Sequence, residues 1–170
     1  AVAIHDSSHI GRVGATGKDV LDLLNRLSTN RVDNLDCGKG SHTVLTNEKG
    51  RFIDVICVYN LGTSVLMLTG PGAEASVIEW IDRYTIMEDS SLRPLTLETA
   101  LFSVIGPRAR EAASTMSDTP YDLMTDDSCI EAVIANVPVV IVPAKMGPTV
   151  GYHIMMDVRE ADQVWRQAIA

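Results

Sequence analysis

Four times along this 170-residue chain, a segment predicted as a strand passes into a segment predicted as a helix through a short turn. The turns lie at Gly17, Gly70, Gly106 and about Val158. The first and third are 89 positions apart, and the second and fourth are 88 apart. A recurring spacing of this kind is typical of an internal repeat. It predicts two duplicated, intertwined halves, 1–88 and 89–170, each with about five strands and two helices.

The strongest strand signal is a predicted hairpin over 41–59. The Asn-Glu-Lys-Gly segment 47–50 is the expected turn, because Gly50 can adopt the positive φ that a hairpin bulge requires. The arm 51–59 is almost entirely β-branched or apolar, and a third strand over 65–69 follows after another short turn. Such an antiparallel meander with interspersed helices predicts an α+β fold with antiparallel sheets, not a doubly wound parallel sheet.

One carboxylate, Asp54, lies in the middle of that apolar arm. Burying a lone charge costs on the order of several kcal/mol unless a partner is present. Asp54 therefore either faces solvent, or it faces a pocket in which the charge has a function. Solvent exposure at the edge of the sheet is the simpler expectation.

Four helices are predicted, over 18–27, 73–84, 106–116 and 159–169. In the first of them, apolar residues recur at helical spacing and form one stripe: Val20, Leu23, Leu24 and Leu27. The polar and acidic segment 117–128 is predicted to be a loop.

The charge and the cysteine pattern argue against several classes of function. The net charge is −8, no run of Lys and Arg occurs, and aromatic residues make up only 5%, which together disfavour nucleic-acid binding. Cys37, Cys57 and Cys129 lack the paired spacing of zinc, iron–sulfur or disulfide sites, so we expect no metal and a reducing, cytoplasmic location. No apolar run reaches the roughly 18 residues of a membrane span, and we expect no membrane partner.

Motifs spread over the whole chain are similar to those of one known family. They are Asp6-Ser7-Ser8, Gly11-Arg12-Val13, Thr16-Gly17-Lys18-Asp19, Leu27-Ser28-Thr29-Asn30, Leu45-Thr46-Asn47-Glu48-Lys49-Gly50-Arg51, Ile105-Gly106-Pro107 and Gly151-Tyr152-His153-Ile154. On these residues the chain resembles the N-terminal folate-binding domain of the aminomethyltransferase family. That family includes the glycine-cleavage T-protein and folate-dependent proteins that support iron–sulfur enzymes.

The resemblance implies a fold of two swapped β-α-β units and tetrahydrofolate as the cofactor. Full-length family members continue past residue 170 into a further domain. We therefore expect the chain to be a fragment or a shortened member, and to act with a partner protein or with that downstream domain.

The resemblance assigns roles to six residues. Asp54 is the candidate catalytic residue, and the candidate cofactor-binding residues are Tyr59, His42, Arg51, Tyr152 and His153. T-proteins typically carry two adjacent aspartates where this chain has Asp54-Val55. The second aspartate, four residues before a folate-contacting tyrosine, is the catalytic one, so Val55 occupies its place and Tyr59 matches the tyrosine. A glutamate that binds the pterin amino groups is replaced by His153, which cannot accept two hydrogen bonds as a carboxylate does.

Each candidate also has an ordinary structural interpretation: a solvated strand position for Asp54 or Arg51, a half-buried strand aromatic for Tyr59, and a surface histidine for His42 or His153.

The sequence and the resemblance together are consistent with three functions. The replaced carboxylates favour a tetrahydrofolate-binding protein with an accessory role in iron–sulfur enzyme maintenance. The second is an aminomethyltransferase that moves a one-carbon unit from an aminomethyl donor to tetrahydrofolate. The third is a non-catalytic interaction scaffold with a degenerate pocket.

Overall fold

The protein is described by a computed structural model that covers residues 1–117, 127–146 and 149–169. Most of the predicted polar loop over 117–128 lies outside the described residues. The chain divides into two compact units. Unit one consists of Ala1–Ser8 and Leu97–Ala170, and unit two consists of His9–Thr96. The duplication into halves 1–88 and 89–170 stays a prediction.

Ten strands and four α-helices lie within the described residues. The strands are β1 (Ala3–Asp6), β2 (Gly11–Thr16), β3 (Lys39–Thr46), β4 (Phe52–Asn60), β5 (Val65–Thr69), β6 (Ser91–Pro94), β7 (Thr99–Ile105), β8 (Ile130–Ile134), β9 (Val137–Met146) and β10 (Thr149–Asp157). The helices are α1 (Val20–Leu27), α2 (Glu74–Asp82), α3 (Ala109–Met116) and α4 (Ala161–Ile169), the last preceded by a 3-10 turn, Val158–Glu160. The four predicted helices are confirmed, and each begins one to three residues later than expected.

Unit two is built on an antiparallel sheet with the strand order β3-β4-β5-β2-β6. The predicted meander of β3, β4 and β5 is therefore confirmed. The hairpin turn also forms as expected: Gly50 has a φ of 69°, and the Asn47 Oδ1 accepts hydrogen bonds from the backbone N–H groups of Lys49 and Arg51. An extra residue in β4 shifts the register next to this turn, between the pairs Leu45–Asp54 and Thr46–Phe52.

One face of the unit-two sheet packs against α1 and α2. Alternate residues of β4 point into this core, because successive side chains of a strand face opposite sides. The buried apolar residues of the core are Val13, Ala15, Val20, Leu23, Leu24, Val32, Leu45, Ile56, Val58, Val65, Met67, Val77 and Ile81.

Unit one is built on a second antiparallel sheet, with the order β1-β7-β10-β9-β8. Its first strand, β1, comes from the N-terminus and pairs with β7, so that Ala3 lies opposite Ile105. The core side of this sheet packs against α3 and α4, and Trp165 of α4 makes an edge-to-face contact with Phe102 of β7 at a centroid distance of 5.1 Å. The α+β class with antiparallel sheets is confirmed in both units.

Candidate functional site

Asp54 is buried, with only 8% of its surface exposed. Its carboxylate accepts a hydrogen bond from the Gly70 N–H at 2.8 Å through Oδ2 and one from the Val55 N–H at 3.0 Å through Oδ1. The expectation that Asp54 faces solvent is therefore wrong. The charge is tolerated because two N–H dipoles take the place of water, and the bond to Gly70 ties the middle of β4 to the end of β5. The catalytic role of Asp54 stays a prediction.

Tyr59 lies on the opposite face of β4 from Asp54. The regular pairing of residues 54–60 with β3 contains no bulge, so Asp54, Ile56 and Val58 face the core, while Val55 and Tyr59 face away. The Tyr59 side chain is only 2% exposed, and its ring lies over Gly40, the residue directly opposite on β3. A Cβ atom on Gly40 would collide with the Cδ1 and Cε1 atoms of that ring.

His42 and Arg51 occupy different parts of the same hairpin. His42 is half-buried on β3 directly opposite Cys57, and so shares the face of Val55 and Tyr59. Arg51 directly follows the turn and is exposed. The structure thus brings His42 and Tyr59 to one face of the unit-two sheet and leaves Arg51 at the hairpin tip.

Tyr152 and His153 are neighbours on β10 and face opposite sides of the unit-one sheet. Tyr152 is 5% exposed and belongs to the hydrophobic core of the unit. His153 lies on the other side, where its Nδ1 is 2.8 Å from the Ser103 Oγ on β7. Burial lowers the pKa of His153 from 6.5 to about 4, so the imidazole is neutral near pH 7.

Two serines to which the sequence interpretation assigned no role connect His153 to the N-terminal segment. Ser103 is 1% exposed and Ser7 is 5% exposed, and their hydroxyl oxygens are 2.5 Å apart. The Ser7 Oγ is also 3.0 Å from the Nδ1 of His5. A hydrogen-bonded row therefore runs from His5 through Ser7 and Ser103 to His153. The sequence signals were Ser7, within the Asp6-Ser7-Ser8 motif, and Ser103, a hydroxyl in the otherwise apolar run 100–105.

A cavity of about 450 Å³ opens elsewhere in unit one, where α4 lies beside β1 and β7. Phe102 and Trp165 supply its aromatic wall, and Asp6 and Asp162 contribute carboxylates. None of the six predicted site residues lines it.

Within the described residues, no cluster of three or more His, Cys, Asp or Glu side chains could hold a metal ion. Over the same ranges, no helix has both the length and the apolar character needed to cross a membrane.

Comparison with protein families identifies the domain. The family described as "GCVT N-terminal domain" matches residues 1–170. This chain belongs to that family. The matched range includes the residues of both units.

Curated relatives are named as aminomethyltransferases. The chain is 28% identical over 172 residues to the aminomethyltransferase of Shouchella clausii, covering 100% of this chain and 47% of the relative. It is 32% identical over 141 residues to that of Bacillus licheniformis, covering 79% of this chain and 38% of the relative. The chain thus spans about half the length of the relatives that it matches end to end.

A solved structure shows the same fold. The glycine cleavage system aminomethyltransferase T from Bartonella henselae superposes with a TM-score of 0.86, over 99% of this chain and 45% of that protein. At 14% sequence identity, this likeness extends to the fold alone.

Proposed function

We propose that this GCVT N-terminal domain binds tetrahydrofolate, and that the protein moves a one-carbon unit from an aminomethyl donor to it. The observation that carries the proposal is the family match over residues 1–170. The relatives from Shouchella clausii and Bacillus licheniformis, both aminomethyltransferases, support the same activity.

The geometry of β4 supports Tyr59 as a folate contact. Its ring is held on the flat backbone of Gly40, on the face that also carries His42. This packing fixes the orientation of the ring, of which only 2% is exposed, so any pteridine contact is made at that small exposed part. The position of Tyr59 matches the tyrosine that the family resemblance assigns to folate.

A second candidate, an accessory folate-binding role such as iron–sulfur enzyme maintenance, is favoured by one observation. The resemblance assigns position 55 to the family's catalytic carboxylate; this chain has Val55 there, and its side chain is 48% exposed on the Tyr59 face. Asp54 cannot replace that carboxylate without a change of register, because it faces the core and is bonded to Gly70.

The partner and the location follow from the same proposal. A GCVT N-terminal domain covering under half of its relatives is expected to work with a further domain or with a partner protein that carries the aminomethyl group. We expect it to act in the cytoplasm, since Cys37, Cys57 and Cys129 form no disulfide among the described residues.

Thermal stabilisation by folinic acid, a stable reduced folate, tests the role of Tyr59. A ligand that binds only the folded protein raises its melting temperature. We expect folinic acid to raise the melting temperature of the wild-type chain and of Tyr84→Leu, but not of Tyr59→Leu. Tyr84 is a matched control because it is a half-buried tyrosine of the same unit, packed edge-to-face on Trp80. Equal stabilisation of both variants would contradict the proposed folate contact.

A further inference from the structure

The cavity beside α4 combines an aromatic wall with two carboxylates. Phe102 of β7 and Trp165 of α4 form the wall, with their ring planes inclined by 67° and their centroids 5.1 Å apart. Asp6 lies directly opposite Phe102 in the register of β1 and β7, so the two side chains share one face of the sheet. Asp162 lies in the first turn of α4, three residues before Trp165, and so on the same side of the helix. Both carboxylates therefore border the aromatic wall.

The charge of the cavity lining favours a cation. Asp6 and Asp162 are acidic, and the remaining lining residues, apart from the two aromatic ones, are alanine, valine and serine, so no Lys, Arg or His lines the cavity within the described part of the chain. Arg166 pairs with Asp162 at 2.9 Å and offsets part of its charge, but it is not a lining residue. The whole chain carries a net charge of −8, which adds to the attraction for cations.

The two carboxylates already have partners within the protein. The Asp6 Oδ1 accepts a hydrogen bond from the Ser8 N–H at 2.9 Å, and the Asp162 Oδ2 pairs with the Arg166 Nε. A primary ammonium group has three N–H donors, each of which needs an acceptor when water is displaced. A quaternary ammonium group has no N–H donor, and it is attracted to aromatic faces and to negative charge without any hydrogen bond. Carboxylates that supply charge beside an aromatic wall therefore suit a quaternary ammonium group best.

We propose that this cavity binds a quaternary ammonium ligand, with the cation against the half-buried ring of Trp165 and attracted by the charges of Asp6 and Asp162. Its volume of about 450 Å³ is in the range of roughly 300–1,000 Å³ that is usual for small-molecule sites. The proposal does not depend on the folate function. His153, the candidate folate residue of β10, projects from the opposite face of the unit-one sheet, together with Ser103.

Choline and 3,3-dimethylbutanol test the role of the charge, because they have the same shape and differ in a cationic nitrogen against a neutral carbon. The chain has two tryptophans, Trp165 in the cavity wall and Trp80 in unit two, and ¹H–¹⁵N spectroscopy follows the indole N–H of each. At constant ionic strength, we expect choline to shift the Trp165 signal saturably, with a dissociation constant of about 1 mM, and to leave Trp80 unchanged. We expect 3,3-dimethylbutanol to bind at least about fivefold more weakly.

Asp6→Asn and Asp162→Asn preserve the size of each side chain and remove its charge. Each should weaken choline binding about threefold and leave the affinity for 3,3-dimethylbutanol unchanged. Asp22→Asn is the matched control, since Asp22 of α1 is an exposed carboxylate paired with Arg26 four residues later, as Asp162 of α4 is with Arg166. It should bind choline as the wild-type chain does.

Three results would overturn the proposal. Equal affinities for choline and 3,3-dimethylbutanol would show that the charge is not recognised. An equal loss of choline affinity in Asp22→Asn and Asp162→Asn would show only a general attraction of cations to an acidic chain. Ethanolamine, the primary-ammonium counterpart of choline, should bind more weakly than choline, and equal or tighter binding would contradict a site for quaternary ammonium. None of these ligands is a folate, so the outcome is independent of whether folinic acid binds.

Discussion

Asp54 and Val55 are adjacent in β4, but they lie in opposite environments. Asp54 is 8% exposed and accepts a hydrogen bond from the backbone N–H of Gly70. Val55 is 48% exposed on the other face of the unit-two sheet. The only carboxylate of β4 therefore makes a structural contact within unit two. Position 55, which the family resemblance assigns to the catalytic carboxylate, carries an apolar and accessible side chain.

Removing the Asp54 carboxylate should destabilise the protein. Asp54→Ala leaves the N–H groups of Gly70 and Val55 without their acceptors, and we expect the free energy of unfolding to fall by about 2 kcal/mol. Asp54→Asn keeps one acceptor oxygen and should lose about half as much. Urea unfolding measures the stability of both variants.

The control Asp22→Ala removes an exposed carboxylate paired with Arg26 and should change stability by less than about 0.5 kcal/mol. Equal effects of Asp54→Ala and Asp22→Ala would show that Asp54 has no structural role.

A carboxylate at position 55 should be tolerated. Val55→Asp places a charge at a half-exposed site, and we expect it to lower stability by less than about 1 kcal/mol. Ile56→Asp, by contrast, places the same charge in a fully buried position and should prevent folding or cost several kcal/mol, on the order of an unpaired buried charge. Thermal melts compare the two variants.

The same variant tests the origin of the site. If Val55 stands where an ancestral catalytic aspartate stood, Val55→Asp should raise the rate of one-carbon transfer from an aminomethyl donor to tetrahydrofolate. The rate can be followed by mass spectrometry of the folate product. No gain in a variant that folds and binds folinic acid would contradict this assignment of position 55.

Gly40 should be required for the position of the Tyr59 ring. Gly40→Ala places a methyl group against Cδ1 and Cε1 of that ring and forces it to move. Overpacking of this kind costs about 1–3 kcal/mol, and the displaced ring should also weaken folinic acid binding. Ser41→Ala, at the adjacent position of β3, is the matched control and should bind as the wild-type chain does. Unchanged binding by Gly40→Ala would argue that the ring of Tyr59 does not contact the ligand.

His153 should make the protein less stable in mild acid. Burial lowers its pKa from 6.5 to about 4, so between these values the unfolded chain binds a proton that the folded chain does not. Stability should therefore fall as the pH drops from about 6.5 to 4, by at most on the order of 3 kcal/mol. Glu88 and Asp157 should make the protein still less stable at lower pH. Hydrogen bonds from Arg26 and Arg159 lower their pKa values to about 2. The stability that these two carboxylates contribute is therefore lost as the pH falls from about 4 to about 2.

Urea unfolding at a series of pH values, for the wild-type chain and for His153→Asn, isolates this contribution. The variant should lose the part of the pH dependence between 6.5 and 4. The same slope in both proteins would show that His153 is protonated equally in the folded and unfolded chains.

Local patterns in the sequence were sufficient for much of the fold. Alternation in the arm 51–59 predicts β4 and puts Asp54 and Val55 on opposite faces, and the Asn47–Gly50 turn forms as expected. The alternation of residues along a strand does not indicate, however, which face of the sheet is buried by other elements. The burial of Asp54 depends on the N–H of Gly70, sixteen residues further along the chain, and no local pattern reveals that contact.

The histidine–serine row lay beyond local patterns for the same reason. Ser7 and Ser103 are separated by 96 residues and meet only because β1 pairs with β7. Sequence similarity pointed to His153, since that position is recognisable within a family motif. Its Ser103 partner could be found only from the register between β7 and β10.

The central claim, that this GCVT N-terminal domain binds a reduced folate, is tested most directly by titration calorimetry of the 170-residue chain with folinic acid. We predict saturable binding of one ligand per chain with a dissociation constant of about 1 μM, which corresponds to a binding free energy of about −8 kcal/mol. A folded protein that gives no heat of binding and no competition at about millimolar folinic acid would contradict the claim.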